Sequence, residues 1–230
     1  MTALRIAIIG HGKMGRAIES LARAKGHEIS AIIGPETPVA TASLNGAEVA
    51  IEFSEPGSAA ANVIGCVNAG CPVVVGTTGW YDGLPSVASL VEARDGAVLW
   101  DPNFAVGVHA VAQLFRRAGE IFAGLASFDA AIVETHHAAK LDAPSGTARM
   151  LQTQYAAAAD TIVPITSIRV GSVPGTHKLL LDGAFEQIVI SHEARDRRVF
   201  AEGALMAAGW LIGRRGMFTL DDMFASKETR

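Results

Sequence analysis

Residues 4–16 read Leu4-Arg5-Ile6-Ala7-Ile8-Ile9-Gly10-His11-Gly12-Lys13-Met14-Gly15-Arg16. An apolar, β-branched run stops at G-x-G-x-x-G, and a helical pattern follows at once. That pattern, Met14–Lys25, sets Ile18, Leu21 and Ala22 on one face. In a strand–turn–helix unit of this kind the first glycine permits the tight turn. The second lets a pyrophosphate approach the backbone, and the third allows the helix to pack closely on the strand. Free N–H groups at the helix N-terminus then face the anion. The string alone also arises by chance in a chain with 24 glycines. Its place between strand and helix makes Gly10, Gly12, Lys13, Met14, Gly15 and Arg16 candidate dinucleotide-binding residues. His11 reads as a solvent-facing turn residue.

Outward from this turn, short strand patterns alternate with helical ones. Ile29–Ile33, Ala47–Phe53, Pro72–Val75 and Ala97–Trp100 read as strands, with helices at Ser58–Asn68 and Leu84–Ala93. Such alternation predicts a parallel sheet with right-handed crossovers. Pro35 and Pro38 make 35–45 too irregular for a full helix, so that crossover is expected to be abbreviated. After Asn103 the character changes. A helix Val106–Phe122, a strand Asp129–Thr135, a polar loop and a helix Ser145–Ala159 lead into strand runs Ile165–Val170, Lys178–Leu181 and Phe185–Ser191. Asp182-Gly183 is a two-residue hairpin signal. A closing helix, Val199–Arg214, returns toward the first part. The expected class is α/β: a Rossmann-type dinucleotide-binding domain (1–103, with returning segment 205–230) and a second α/β domain with a mixed sheet (104–204).

Composition excludes several classes. The 230 residues carry 19 Lys+Arg against 23 Asp+Glu, a net charge of −4, with no basic surplus to favour nucleic acid or an anionic membrane. Half the residues are apolar and 18% charged, too apolar for a disordered chain. No run of about 18 consecutive apolar residues exists, so a soluble protein is expected. Nothing near the N-terminus reads as an export signal, and Cys66 and Cys71 form neither a disulfide framework nor a zinc pattern. A reducing cytoplasmic setting is the expectation.

The densest chemistry lies at Glu134-Thr135-His136-His137-Ala138-Ala139-Lys140-Leu141-Asp142-Ala143-Pro144-Ser145-Gly146-Thr147-Ala148. Two histidines and a lysine follow a strand, and Pro144 opens a helix whose first turn is Ser-Gly-Thr. That turn offers hydroxyl and N–H groups to an anion, most naturally a carboxylate. Histidine supplies an acid that titrates near pH 7. His-His followed by Asp is also a conceivable metal site, yet no metal-ligand spacing is met, and no metal is expected.

This string, E-x-H-H-x-x-K-x-D-A-P-S-G-T-A, resembles the signature of the dihydrodipicolinate reductase family, nicotinamide-dependent reductases of the diaminopimelate route to lysine. Gly76-Thr77-Thr78-Gly79 resembles the family's G-T-T-G loop, and Asn103-Phe104-Ala105-Val106-Gly107-Val108 its N-F-S-x-G-V turn. Arg169-x-Gly171-x-Val173-Pro174-Gly175-x-His177 and Arg197-x-x-Phe200-Ala201-x-Gly203-Ala204 match later blocks, so the likeness spans the chain. The resemblance implies His136 as general acid and Lys140 as a residue that holds substrate and favours developing negative charge. It implies dicarboxylate contacts from His137, Lys140, Ser145, Gly146, Thr147 and Arg197. It adds Gly76, Thr77, Thr78, Asn103 and Phe104 to the cofactor residues, and a homotetramer built through the second domain's sheet.

The cofactor itself stays open between NADH and NADPH. Gly34 lies about where many members carry the acid that reads the ribose, Glu36 follows two residues later, and Lys13 and Arg16 are placed to neutralise a 2′-phosphate. Two other functions remain: a paralogue reducing another imine or 2-oxo dicarboxylate, and a catalytically silent nicotinamide-binding sensor. Intact His136, Lys140 and Arg197 argue against the sensor, which needs no proton donor.

Overall fold

The computed structural model describes residues 2–225, which form two compact units. The first takes the chain up to Phe104 and again from Arg198, and the second is Ala105–Arg197. The first begins β1 (Arg5–Ile9), α1 (Lys13–Ala24), β2 (Glu28–Ile33), α2 (Thr41–Leu44), β3 (Val49–Glu52), α3 (Pro56–Asn68), β4 (Val73–Val75), α4 (Leu84–Ala93) and β5 (Ala97–Trp100). The strands pair in parallel and several are apolar end to end, as strands covered on both faces must be. The crossover after β2 is indeed shortened: α2 is one turn, started by the Ala40 N–H donating to Ser43 Oγ at 2.8 Å. Cys66 and Cys71 are both free and buried, and burial pushes the Cys71 thiol up to about 11.

The second unit holds α5 (Val106–Phe122), β6 (Phe128–His136), α6 (Gly146–Ala159), β7 (Ile165–Arg169), β8 (Thr176–Gly183) and β9 (Gln187–Glu193). Its sheet runs β7-β6-β8-β9, with β7 parallel to β6 and the other pairs antiparallel. One face packs on α5 and α6 through Val111, Phe115, Ile132, Leu151, Tyr155 and Leu179. The hairpin turns later than Asp182-Gly183. Asp182 pairs with Gln187, the Gly183 N–H donates to the Glu186 carbonyl at 2.9 Å, and Phe185 is fully exposed at the tip rather than in a strand. Cross-strand packing decides this: the observed register sets Leu181 opposite Ile188 and Leu179 opposite Ile190. A turn at 182–183 would set Leu179 against Glu186.

The chain then returns through α7 (Arg198–Leu211), β10 (Gly216–Phe218) and α8 (Leu220–Ala225). The return starts earlier than residue 205, because all of α7 is built into the first unit by its small-residue face of Ala201, Gly203, Ala204, Ala207 and Ala208. β10 pairs in parallel with β5 and completes the order β10-β5-β4-β3-β1-β2. Neither β10 nor α8 is legible as a pattern; residues 226–230 of the expected segment lie outside the described residues. Among the described residues no helix is long and apolar enough to cross a membrane.

Candidate active site

In the first unit the parallel sheet brings the carboxyl ends of β1, β3, β4 and β5 to one edge, and the strand order reverses between β1 and β3. That edge is where open α/β sheets bind ligands. The three glycines of the first turn meet different demands. Gly10 has φ +86° and faces the Phe53 backbone, where a Cβ would overlap the carbonyl oxygen. A Cβ on Gly15 would overlap the Gly10 carbonyl oxygen. Gly12 has an ordinary φ of −74° and nothing within 4 Å of its Cβ position. The fold requires glycine at 10 and 15, whereas at Gly12 neither the backbone angle nor a neighbouring atom requires it.

Gly12 is also the N-cap of α1 and makes no side-chain cap, so its side of the helix N-terminus carries no capping group of its own. Lys13 and Arg16 are exposed beside it, Met14 is half-buried, and Arg16 Nη1 donates to the His11 carbonyl at 3.2 Å. Gly76, Thr77 and Thr78 follow β4, and Thr77 is fixed by accepting the Ser54 N–H at 2.8 Å on Oγ1. Asn103 and Phe104 follow β5; the Phe104 ring packs edge-on against Phe53 at 5.8 Å. These residues fit a nicotinamide dinucleotide. Gly34 and the exposed Glu36 follow β2. His11, as expected, is a surface group, paired with Glu19 at 2.7 Å.

In the second unit the site grows from strand register. Glu134 and His136 lie two apart on β6 and share a face. Across the sheet His136 stands opposite Arg169 on β7, and Glu134 opposite His177 on β8. Glu134 is fully buried, its Oε1 accepts from Arg169 Nη2 at 2.7 Å, and its Oε2 lies against His136 Nδ1. The His136 and His177 rings meet edge-on at 5.2 Å, and His177 Nε2 is 3.3 Å from Ser145 Oγ. Ser145 caps α6, accepting the Ala148 N–H at 3.2 Å, while its own N–H points to Glu134 Oε1 at 3.4 Å. Gly146 and Thr147 form the first turn beyond it.

Not every expected residue joins this cluster. Lys140 sits in the following loop, its Nζ 2.6 Å from Asp142 Oδ1, and His137 is half-buried outside the cluster, its carbonyl accepting the Lys140 N–H. Arg197 lies in the exposed turn before α7, not inside the helix. Three residues without an assigned role on sequence grounds, Glu134, Arg169 and His177, prove to be its centre, the first and last buried and Arg169 half-buried. Their signal was the alternation on β6 and the pairing of three strands.

The sequence places no third ligand beside the histidine pair, but the fold does. Glu134, His136 and His177 offer ligand atoms all within 4.8 Å of one another. Arg169 donates to one oxygen of that carboxylate, and the other lies in close contact with His136 Nδ1. Burial opposes charge on Glu134, but the Arg169 and Ser167 hydrogen bonds and the charges of His136 and Arg169 outweigh it and hold the carboxyl at about 2. Burial lowers His136, with Glu134 partly offsetting it, and burial with the neighbouring His136 takes His177 down to about 4.

A stability profile follows from these shifts. His177 binds its proton less readily folded than unfolded, so its folded form is fully favoured above its ordinary 6.5 and penalised as pH falls from 6.5 to about 4. The penalty amounts to about 3 kcal/mol at 1.36 kcal/mol per unit. Glu134 acts at lower pH: its contribution, present above its ordinary 4.5, is lost toward about 2. Urea midpoints measured from pH 8 to 3 should decline in these two stages, and His177→Gln should flatten the upper one. A decline in His177→Gln as steep as in wild type would assign the upper stage elsewhere.

Comparison with known proteins identifies the family. The family described as "Dihydrodipicolinate reductase, N-terminus" matches residues 4–104, and "Dihydrodipicolinate reductase, C-terminus" matches 107–224. Proteins named 4-hydroxy-tetrahydrodipicolinate reductase are similar along their whole length. That of Christiangramia forsetii is 34% identical, covering 96% of this chain and 98% of the relative. That of Gluconobacter oxydans is 35% identical, covering 96% and 97%. Among solved structures, dipicolinate-bound dihydrodipicolinate reductase from Paenisporosarcina sp. TG-14 has the same fold, with a TM-score of 0.80 at 20% identity over 95% of this chain and 98% of that one. Two sequence models that together span nearly the whole chain, and relatives above 30% identity over nearly all of it, place this chain in the dihydrodipicolinate reductase family.

Proposed function

We propose that this chain reduces 4-hydroxy-tetrahydrodipicolinate to tetrahydrodipicolinate with a nicotinamide cofactor, in the diaminopimelate route of lysine biosynthesis. The observation that carries this reading is the buried Glu134–His136 pair, set beside the N-terminus of α6 in a chain that also has the uncapped glycine turn at Gly12. When bound, the cofactor supplies the hydride. The 4-hydroxyl leaves as water to give the conjugated cyclic imine that accepts the hydride, and His136 supplies the proton that the ring needs once hydride has added at carbon. Lys140 and the first turn of α6, Ser145-Gly146-Thr147, hold a substrate carboxylate and favour negative charge as it develops. His137 adds a polar contact at the same loop. The protein's share is orientation and electrostatics.

The testing experiment follows cofactor oxidation with this substrate, NADH and NADPH side by side. Turnover is expected with both. With Gly34 after β2 and Lys13 and Arg16 exposed at the turn, NADPH should bind at least as well as NADH. Cofactor binding without oxidation would overturn the assignment and favour a sensor. An NADH preference beyond about tenfold, or 1.4 kcal/mol, would make Glu36 the ribose reader.

Arg197 is assigned to the second substrate carboxylate, which a guanidinium grips in bidentate fashion. Arg197→Met should raise KM by about 30- to 1,000-fold, or about 2–4 kcal/mol. Arg198→Met, one residue on and the first of α7, should stay within about 1 kcal/mol of wild type. Equal effects in steady-state kinetics would show that the wrong arginine has been chosen.

We also infer a cytoplasmic homotetramer with neither nucleic-acid nor membrane partners, given the acidic balance of charge. The face of the second sheet opposite α5 and α6 presents Val133, Ile168, Leu180 and Val189, with Ile168 and Val189 43% and 48% exposed. Such an apolar face suits burial against another copy. Ile168→Glu with Val189→Lys should lower the mass seen by light scattering toward a monomer or dimer. An unaltered mass would place the interface elsewhere.

A further inference from the structure

We propose that Glu134, anchored by Arg169, is the positioning residue for His136: its carboxylate takes the hydrogen bond from Nδ1–H and so presents Nε2 as the proton-transfer atom. This rests on the reading of His136 as proton donor and adds what sets its tautomer and its working pH.

A carboxylate with no exposed surface is expensive unless its lone pairs are all used. Glu134 satisfies Oε1 on groups that belong to the site, and for Oε2, which is buried, the group at hand is His136. Oε1 accepts from Arg169 Nη2 at 2.7 Å and from the Ser145 N–H at 3.4 Å, and Oε2 faces His136 Nδ1. Arg169 Nη2 also donates to the Asp142 carbonyl at 2.6 Å, tying the strand to the loop between Lys140 and Ser145. The carboxylate therefore cannot swing away from the imidazole without breaking bonds on its other side.

The opposite edge of the ring is kept bare. Gly175 has φ +153°, and a Cβ built there would stand 3.0 Å from His136 Nε2. A side chain at 175 would cover the one nitrogen that Glu134 leaves available. A carboxylate on Nδ1 and a glycine beside Nε2 form the arrangement in which an acidic partner fixes the tautomer of a catalytic histidine.

The charged and titratable groups facing His136 are Glu134 on its own strand, Arg169 on β7, His177 on β8 and Lys140 in the loop. Only Glu134 favours the imidazolium form; the cations and burial oppose it. With a neutral amide at 134, the acid should lose its proton at lower pH.

The test compares pH profiles of kcat/KM for wild type, Glu134→Gln and His136→Gln, because the limb of such a profile reports the acid of the free enzyme. Glu134→Gln should move the alkaline limb down by about one unit or more, as expected for loss of an adjacent opposite charge. A merely structural role would lower the melting temperature and leave the limb in place. An unmoved limb in folded Glu134→Gln overturns this inference while leaving His136 as the acid. Undiminished activity in His136→Gln overturns both. If Glu134→Gln does not fold, ¹⁵N spectra of histidine-labelled wild type decide: at neutral pH His136 should carry its proton on Nδ1, and an Nε2–H tautomer overturns the proposal.

Discussion

Replacing His136 by Gln should lower kcat by about 10²–10⁴-fold with little change in KM. The two constants separate because the residue does only one of the site's two tasks. On the proposed assignment substrate is held by the start of α6, Lys140 and Arg197, all of which remain. The lost task is delivery of a proton, which an amide cannot perform at any pH near neutrality. The fold should tolerate the change. Glu134 keeps Arg169 and the Ser145 N–H, and glutamine offers an N–H toward the oxygen that His136 faced. Loss of thermal stability with wild-type kcat per folded molecule would make His136 a structural residue and remove it from the mechanism. Burial lowers His136, so rate in the wild type should fall on the alkaline side as the acid form is depleted.

The site divides into parts readable from the sequence and parts that are not, and the division follows range. Gly10–Arg16 is legible because strand, turn and helix are contiguous, and the chemistry of the turn is local. Ser145 is legible for the same reason, as a capping hydroxyl before a helix, and Val106–Phe122 and Leu84–Ala93 carry enough turns to fix both ends. Glu134, Arg169 and His177 are far apart in sequence and meet only through the register of β7, β6 and β8. Each alone is an ordinary strand residue. β10 has three residues, too few for a period, and is defined by its pairing with β5. The hairpin shows the same competition in miniature: Asp182-Gly183 is a good local turn, but apolar pairs across the strands select Ala184-Phe185 instead.

Gly12→Val should abolish measurable cofactor binding, a loss of more than about 4 kcal/mol or a thousandfold, in a protein that still folds. Folding survives because nothing lies within 4 Å of the Gly12 Cβ position and the backbone there, φ −74° and ψ −155°, is extended with a negative φ. Replacing an N-cap glycine costs at most about 1–2 kcal/mol of helix stability. Binding fails because the branched side chain would fill the space through which a pyrophosphate reaches the first N–H groups of α1. Gly15→Val is the informative contrast. Its Cβ would overlap the Gly10 carbonyl oxygen, so strand and helix must separate, and the expected result is lost folding rather than a selective loss of affinity. Calorimetric titration with NADPH, alongside thermal melts of both variants, separates the two kinds of glycine. Wild-type affinity in a folded Gly12→Val protein would mean that the turn serves only to join β1 to α1, and that the cofactor binds elsewhere.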